Sequence, residues 1–219
     1  MDHAALADDL PPLLRLALVY APTRARPATL AFFALDLRLG AIVRATREPL
    51  LGQTRLAWWR ERLLEAPELW PAGEPVLAAL RECTGLAAHL AQLVDGWEEL
   101  LVSDDPAHGV AGLVEGRAKA CAALAELLGH SRFAKAVTSA ARNWALADLV
   151  EHLSPAGGRD QALAELQDRS FDLGRLPHDL RPLAILNALA KRVSSNPDVK
   201  LNPSVATFLQ IVRIGLFGR

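Results

Sequence analysis

The chain has 219 residues, 51% of them hydrophobic, and its 24 Lys and Arg nearly balance 25 Asp and Glu for a formal charge of −1. That length allows one substantial core, and the charge balance argues against general nucleic-acid binding, which needs a strong positive excess. Ala and Leu dominate the apolar fraction while β-branched and aromatic residues are sparse, so an all-α fold is expected.

In chain order, MDHAALADDL is acidic and lacks the basic and apolar regions of a signal peptide. Asp8 and Asp9 are expected to cap a helix running to about Val19. Pro27 opens a second helix, on which Leu30, Phe33, Leu37 and Ala41 recur at helical steps. Pro49 restarts the chain, and Leu56, Trp59 and Leu63 share one face while Arg55, Arg60 and Arg62 reach water or an anion. Pro67, Pro71, Gly73 and Pro75 mark a linker. Helices are then expected at Val76–Cys83, from about Leu86 to Val102, and from Pro106 to about Leu128. Asp104 and Asp105 read as caps of the last of these rather than as a metal-binding pair. Gly109, Gly112 and Gly116 on that helix read as sites of close packing.

Ser131 caps a helix through Trp144 to about His152, and another covers about Asp160–Asp168. Arg175–Leu176–Pro177 opens a helix to about Val193, and Asn202–Pro203 opens a last one to about Leu216. The division expected is a helical domain over 1–193, then a polar linker and C-terminal helix over 194–219. That final helix could dock on the core or lie on a membrane surface. Cys83 and Cys121 are expected as buried free thiols. No stretch approaches the roughly 20 apolar residues of a membrane span, so a cytoplasmic protein, at most peripheral to a membrane, is the default. The six histidines form no zinc-ligand spacing, and no P-loop, G-x-G-x-x-G or G-x-S-x-G occurs. Arg24, Arg26, Arg38, Arg44, Arg47, Arg55, Arg60 and Arg62 are either a solvated surface with pairs such as Arg44–Glu48, or an anion-facing patch for a phosphate, lipid headgroup or acidic partner.

The Pro27–Leu63 stretch resembles the opening helical pair of the squalene/phytoene synthase family, the all-α enzymes that join two prenyl diphosphates head to head. Leu93–Val94–Asp95–Gly96, Arg175–Leu176–Pro177, and Arg55 with Trp58–Trp59 resemble further family segments. The resemblance implies a single isoprenoid-synthase-like helical bundle, shortened at its C-terminal end. Family members hold Mg²⁺ with an Asp-x-x-x-Asp pair on the first helix, the four-residue step placing both carboxylates on one face. Those positions align here with Gly40 and Arg44. The second acidic motif aligns with Ala140–Ala156, placing Asp148 at an asparagine, His152 at the first aspartate and Ala156 at the second. A slip of one turn would promote Asp148 to a ligand position. Glu48–Pro49–Leu50–Leu51–Gly52 with Arg55–Leu56–Ala57–Trp58–Trp59 is similar to a catalytically silent branch that includes the mitochondrial assembly factor for respiratory complex I.

The resemblance therefore implies a non-catalytic binding or assembly protein, with a membrane-complex partner and Arg38, Arg44, Arg47, Arg55, Trp58 and Trp59 as candidate anion- or partner-binding residues. No cofactor is then expected. The alternatives are a Mg²⁺-dependent prenyltransferase and a non-catalytic holder of an isoprenoid or lipid. An apolar cavity with arginines at its mouth would favour the holder.

Overall fold

Proline and glycine set most of the helix boundaries in this chain. The computed structural model describes residues 3–83, 85–197 and 205–217, and among them there are eleven α-helices and no strand. The helices are α1 (His3–Asp8), α2 (Pro12–Val19), α3 (Arg26–Ala45), α4 (Pro49–Leu64), α5 (Pro75–Arg81), α6 (Ala87–Val102), α7 (Pro106–Leu127), α8 (Ala134–His152), α9 (Arg159–Gln167), α10 (Arg181–Ser195) and α11 (Val205–Phe217). Proline occupies the first turn of α2, α3, α4, α5, α7 and α10, where its missing N–H leaves no intrahelical acceptor unpaired. Asp105 caps α7 by accepting from the Ala107 N–H at 3.0 Å, as its place before Pro106 predicts.

Four expectations change. Ser131 opens a 3₁₀ turn, and α8 begins at Ala134 with no side-chain cap. Asp8 ends α1, and α2 begins after Pro11 with no side-chain cap, because Pro11 and Pro12 break the chain there. Arg175–Leu176–Pro177 opens no helix; these residues have no regular secondary structure, and α10 starts at Arg181 after a single 3₁₀ turn. Amide side chains hold the start of the irregular stretch that leads to α10. Asn143 donates to the Ser170 carbonyl at 3.0 Å, and Asn187 donates to the Phe171 carbonyl at 3.0 Å. Finally, Ala41 is exposed, while α3 is buried without a break from Ala28 to Asp36. This helix runs through the core instead of lying along its edge.

Helices α6 and α7 form the tightest pair, and glycine permits it. A Cβ on Gly96 would come within 2.7 Å of the Gly112 carbonyl oxygen, and one on Gly116 within 2.8 Å of the Gln92 carbonyl oxygen. Backbone rather than side chain therefore fills the contact. Leu56, Trp59 and Leu63 carry α4 onto the same layer, and Cys83 and Cys121 are free and buried. At the C-terminal end Arg181 Nη1 donates to the carbonyls of Ile214 and Gly215, both at 2.8 Å, and Ile211 and Ile214 are buried. Helix α11 is thus docked against α10. The expected Asn202–Pro203 start of that helix lies outside the described residues. No described helix is long and apolar enough to cross a membrane.

Gly96→Ala is expected to destabilise the protein by about 1–3 kcal/mol, the usual cost of overpacking, although alanine is the better helix former. A lowered denaturant midpoint checks this, and an unchanged or raised midpoint contradicts the packing described.

Candidate functional site

The apolar stripe of α7 runs through Val110, Leu113, Val114, Cys121 and Leu124, and Arg117 lies in the middle of it with 3% of its surface exposed. A guanidinium cannot remain there without counter-charge. Asp36, on α3, supplies it from one side: Arg117 Nη2 lies 2.9 Å from Asp36 Oδ2, and Nε donates to Oδ1 at 3.1 Å. Asp148, on α8, approaches from another, with its Oδ2 2.7 Å from Arg117 Nη1. This second contact is an ion pair without hydrogen-bond alignment, so the buried Nη1 has no aligned acceptor. Two indoles bracket the cation, with the guanidinium carbon 5.1 Å from the Trp97 ring centre and 4.7 Å from that of Trp144. Each such contact is worth about 2 kcal/mol when desolvated.

The bracket is itself fixed. Trp97 Nε1 donates to Asp36 Oδ1 at 2.8 Å, and Trp144 meets Phe32 and Phe33 edge-on. His152, one turn beyond Asp148, places Nδ1 3.1 Å from Asp148 Oδ1. The hydrogen bond to Asp148, reinforced by its charge, pushes the His152 imidazolium up to about 9. Burial disfavours the Asp148 carboxylate, but Arg117 and His152 outweigh it and hold that group below its ordinary range. At Asp36 burial wins, and its carboxyl is raised despite Arg117. Arg117 is held firmly protonated, since its two carboxylates overcome the cost of burial.

Beside this cluster opens a cavity of about 240 Å³. Its walls are Leu13, Leu14 and Leu37, the two indoles, and Leu186, Leu189 and Ala190 of α10, while Asp36, Arg44, Arg117, Asp148, Glu151 and His152 bring charge to it.

The residues singled out from sequence fall in different places. Gly40 is buried one turn beyond Asp36, and a Cβ there would lie 2.9 Å from the Trp97 ring. Arg44 lines the cavity from its exposed rim. Asp148 and His152 face the cavity as a pair, whereas Ala156 is exposed beyond the end of α8. In the candidate patch Arg38 pairs with Glu74 at 3.3 Å, Arg47 and Arg55 are exposed, and Trp59 is buried. Trp58 stays at the surface, edge-on to Trp59 and under Arg62.

Residues 14–113 match the squalene/phytoene synthase family model. The match gives a family-level link and agrees with the all-α architecture. It includes Asp36 and Trp97 and stops four residues before Arg117. Comparison with curated proteins and with solved structures gives no match.

The Mg²⁺ implied by squalene/phytoene synthase chemistry does not fit the residues present. Asp36 and Asp148 are already bridged by a fixed cation. An aspartate at position 40 would have to displace the Trp97 ring, and position 44 carries a positive charge. Among the described residues no three His, Cys, Asp or Glu side chains cluster as a metal site. Helix α3 carries one carboxylate, Asp36, one turn before Gly40, and α8 carries Asp148 and Glu151; Arg117 lies between Asp36 and Asp148.

Asp36, Trp97, Arg117 and Trp144 were not singled out from sequence, although signals existed. Asp36 is the single acid in α3, set among Phe32, Phe33, Leu35 and Leu39, and Arg117 interrupts the buried stripe of α7.

Arg117→Met is expected to cost about 3–5 kcal/mol by leaving buried carboxylates unpaired. Adding Asp36→Asn should recover part of the loss in a double-mutant cycle, and strict additivity would contradict the pairing. His152 is raised in the folded state, so its contribution is complete below about pH 6.5 and lost as pH rises through about 9. Because the ring is half-exposed the loss should be only about 1 kcal/mol, read as a falling denaturation midpoint that His152→Gln abolishes.

Proposed function

We propose that this chain is a squalene/phytoene synthase relative that binds a ligand instead of condensing prenyl diphosphates. The observation that carries this reading is Arg117, a covalently tethered cation between Asp36 and Asp148, the acids of α3 and α8 that face each other beside the cavity. Cavity size supports it as well. Head-to-head condensation brings two prenyl chains and two diphosphates together, and about 240 Å³ is below the roughly 300–1,000 Å³ of ordinary small-molecule sites. A cavity with leucine and indole walls, a charged end and Arg44 at its rim suits an isoprenoid or lipid holder without a cofactor.

A second reading, an assembly factor for a respiratory membrane complex, is favoured by the outer face of α4. Leu50 and Leu51 are 76% and 57% exposed there, beside exposed Trp58. Such a face suits a protein partner, with the chain cytoplasmic and peripheral to the membrane. Recovery of complex subunits with the wild-type chain but not with Leu50→Asp supports that role, and recovery with neither removes it. The Mg²⁺-dependent prenyltransferase alternative would need Arg117 to leave both carboxylates.

Incubating the full chain with farnesyl or geranylgeranyl diphosphate and Mg²⁺ is expected to give no C30 or C40 hydrocarbon. Turnover to either product overturns the non-catalytic reading.

A further inference from the structure

We propose that the cavity takes an apolar alcohol, whose hydroxyl accepts from Arg117 Nη1 and donates to a carboxylate, in preference to any phosphate or diphosphate. This rests on the non-catalytic reading above and deepens it by naming the ligand class. Three independent observations point the same way.

Charge comes first. Asp36, Asp148 and Glu151 stand against Arg44, Arg117 and His152 around the cavity, and Asp148 keeps His152 protonated at neutral pH. The lining is therefore balanced, with its buried cation already committed to two carboxylates. A dianionic head would have to shed water and enter beside Asp36 and Asp148 with no uncommitted buried cation to receive it. An uncharged head meets no such opposition.

Hydrogen bonding comes second. Arg117 lines the cavity, and its Nη1 is buried without an aligned acceptor, so a hydroxyl reaches it by a small shift of the guanidinium. Both Asp148 oxygens are within ion-pair distance of a cation, and each carboxylate oxygen has acceptor capacity for more than one donor. A hydroxyl group can accept and donate at once, so it satisfies the orphaned N–H and a carboxylate lone pair together. An aldehyde or ester could do only the first, and an ammonium only the second.

Third is shape. Leu14, Leu37, Leu186 and Leu189 with the Trp97 and Trp144 indoles give an apolar barrel behind this polar end. If each methylene-sized group occupies about 30 Å³, the share of one water in the liquid, the enclosed space holds a chain of about eight carbons.

The test is calorimetric titration of the full chain with 1-octanol, octyl phosphate and geranyl diphosphate plus Mg²⁺. Octanol is expected to bind at least tenfold more tightly than either phosphate and to change the fluorescence of the cavity tryptophans. Leu14→Trp and Leu37→Trp, both at half-buried wall positions, should each weaken octanol at least tenfold while circular dichroism stays unchanged. Equal or tighter binding of octyl phosphate or geranyl diphosphate overturns the proposal, as does octanol affinity that neither wall variant alters. Absence of octanol binding also overturns it, but leaves the non-catalytic reading standing unless C30 or C40 product is formed.

Discussion

A charged guanidinium buried between helices dictates most of the centre of this protein. Arg117 cannot stay in the apolar stripe of α7 without anions, so α3 and α8 must each deliver a carboxylate to it. Those two helices are thereby fixed relative to α7, and α6 adds an indole whose N–H is bound to the same Asp36. A buried triad of this kind is weak evidence of net stability. What it secures is registry: a one-turn slip of α3 or α8 would strand a charge in the core.

The same cation explains why neighbouring positions are small or apolar. Gly40 is glycine because the Trp97 ring, drawn in over the guanidinium, occupies the space of a side chain. The backbone contact between α6 and α7 at Gly96 and Gly116 brings Trp97 and Arg117 within stacking distance. The glycine at position 40, the Trp97 indole and the buried Arg117 are therefore parts of one arrangement. Arg117 supplies the positive charge between Asp36 and Asp148.

Much of the architecture was legible beforehand because it depends on local rules. Proline at helix starts, Asp105 as a cap and the packing role of the α7 glycines all follow from backbone chemistry that a single segment carries. The irregular segment before α10 was not legible. Its order comes from Asn143 and Asn187, which are remote in sequence from most of the carbonyls they hold. The site was half legible. Asp148 and His152 lie within the second-motif alignment, while the first-motif positions Gly40 and Arg44 fall about one and two turns beyond Asp36. Arg117 belongs to neither motif and lies beyond the family match at residue 113. Its importance arises only when three helices meet, which no window of sequence contains.

The most direct measurement is a crystal structure of the full chain grown with MnCl₂ and a non-hydrolysable prenyl diphosphate analogue, with data collected at the manganese edge. The account predicts guanidinium density between Asp36 and Asp148 and no anomalous peak there. A manganese ion held by both carboxylates, with Arg117 turned away, would contradict it.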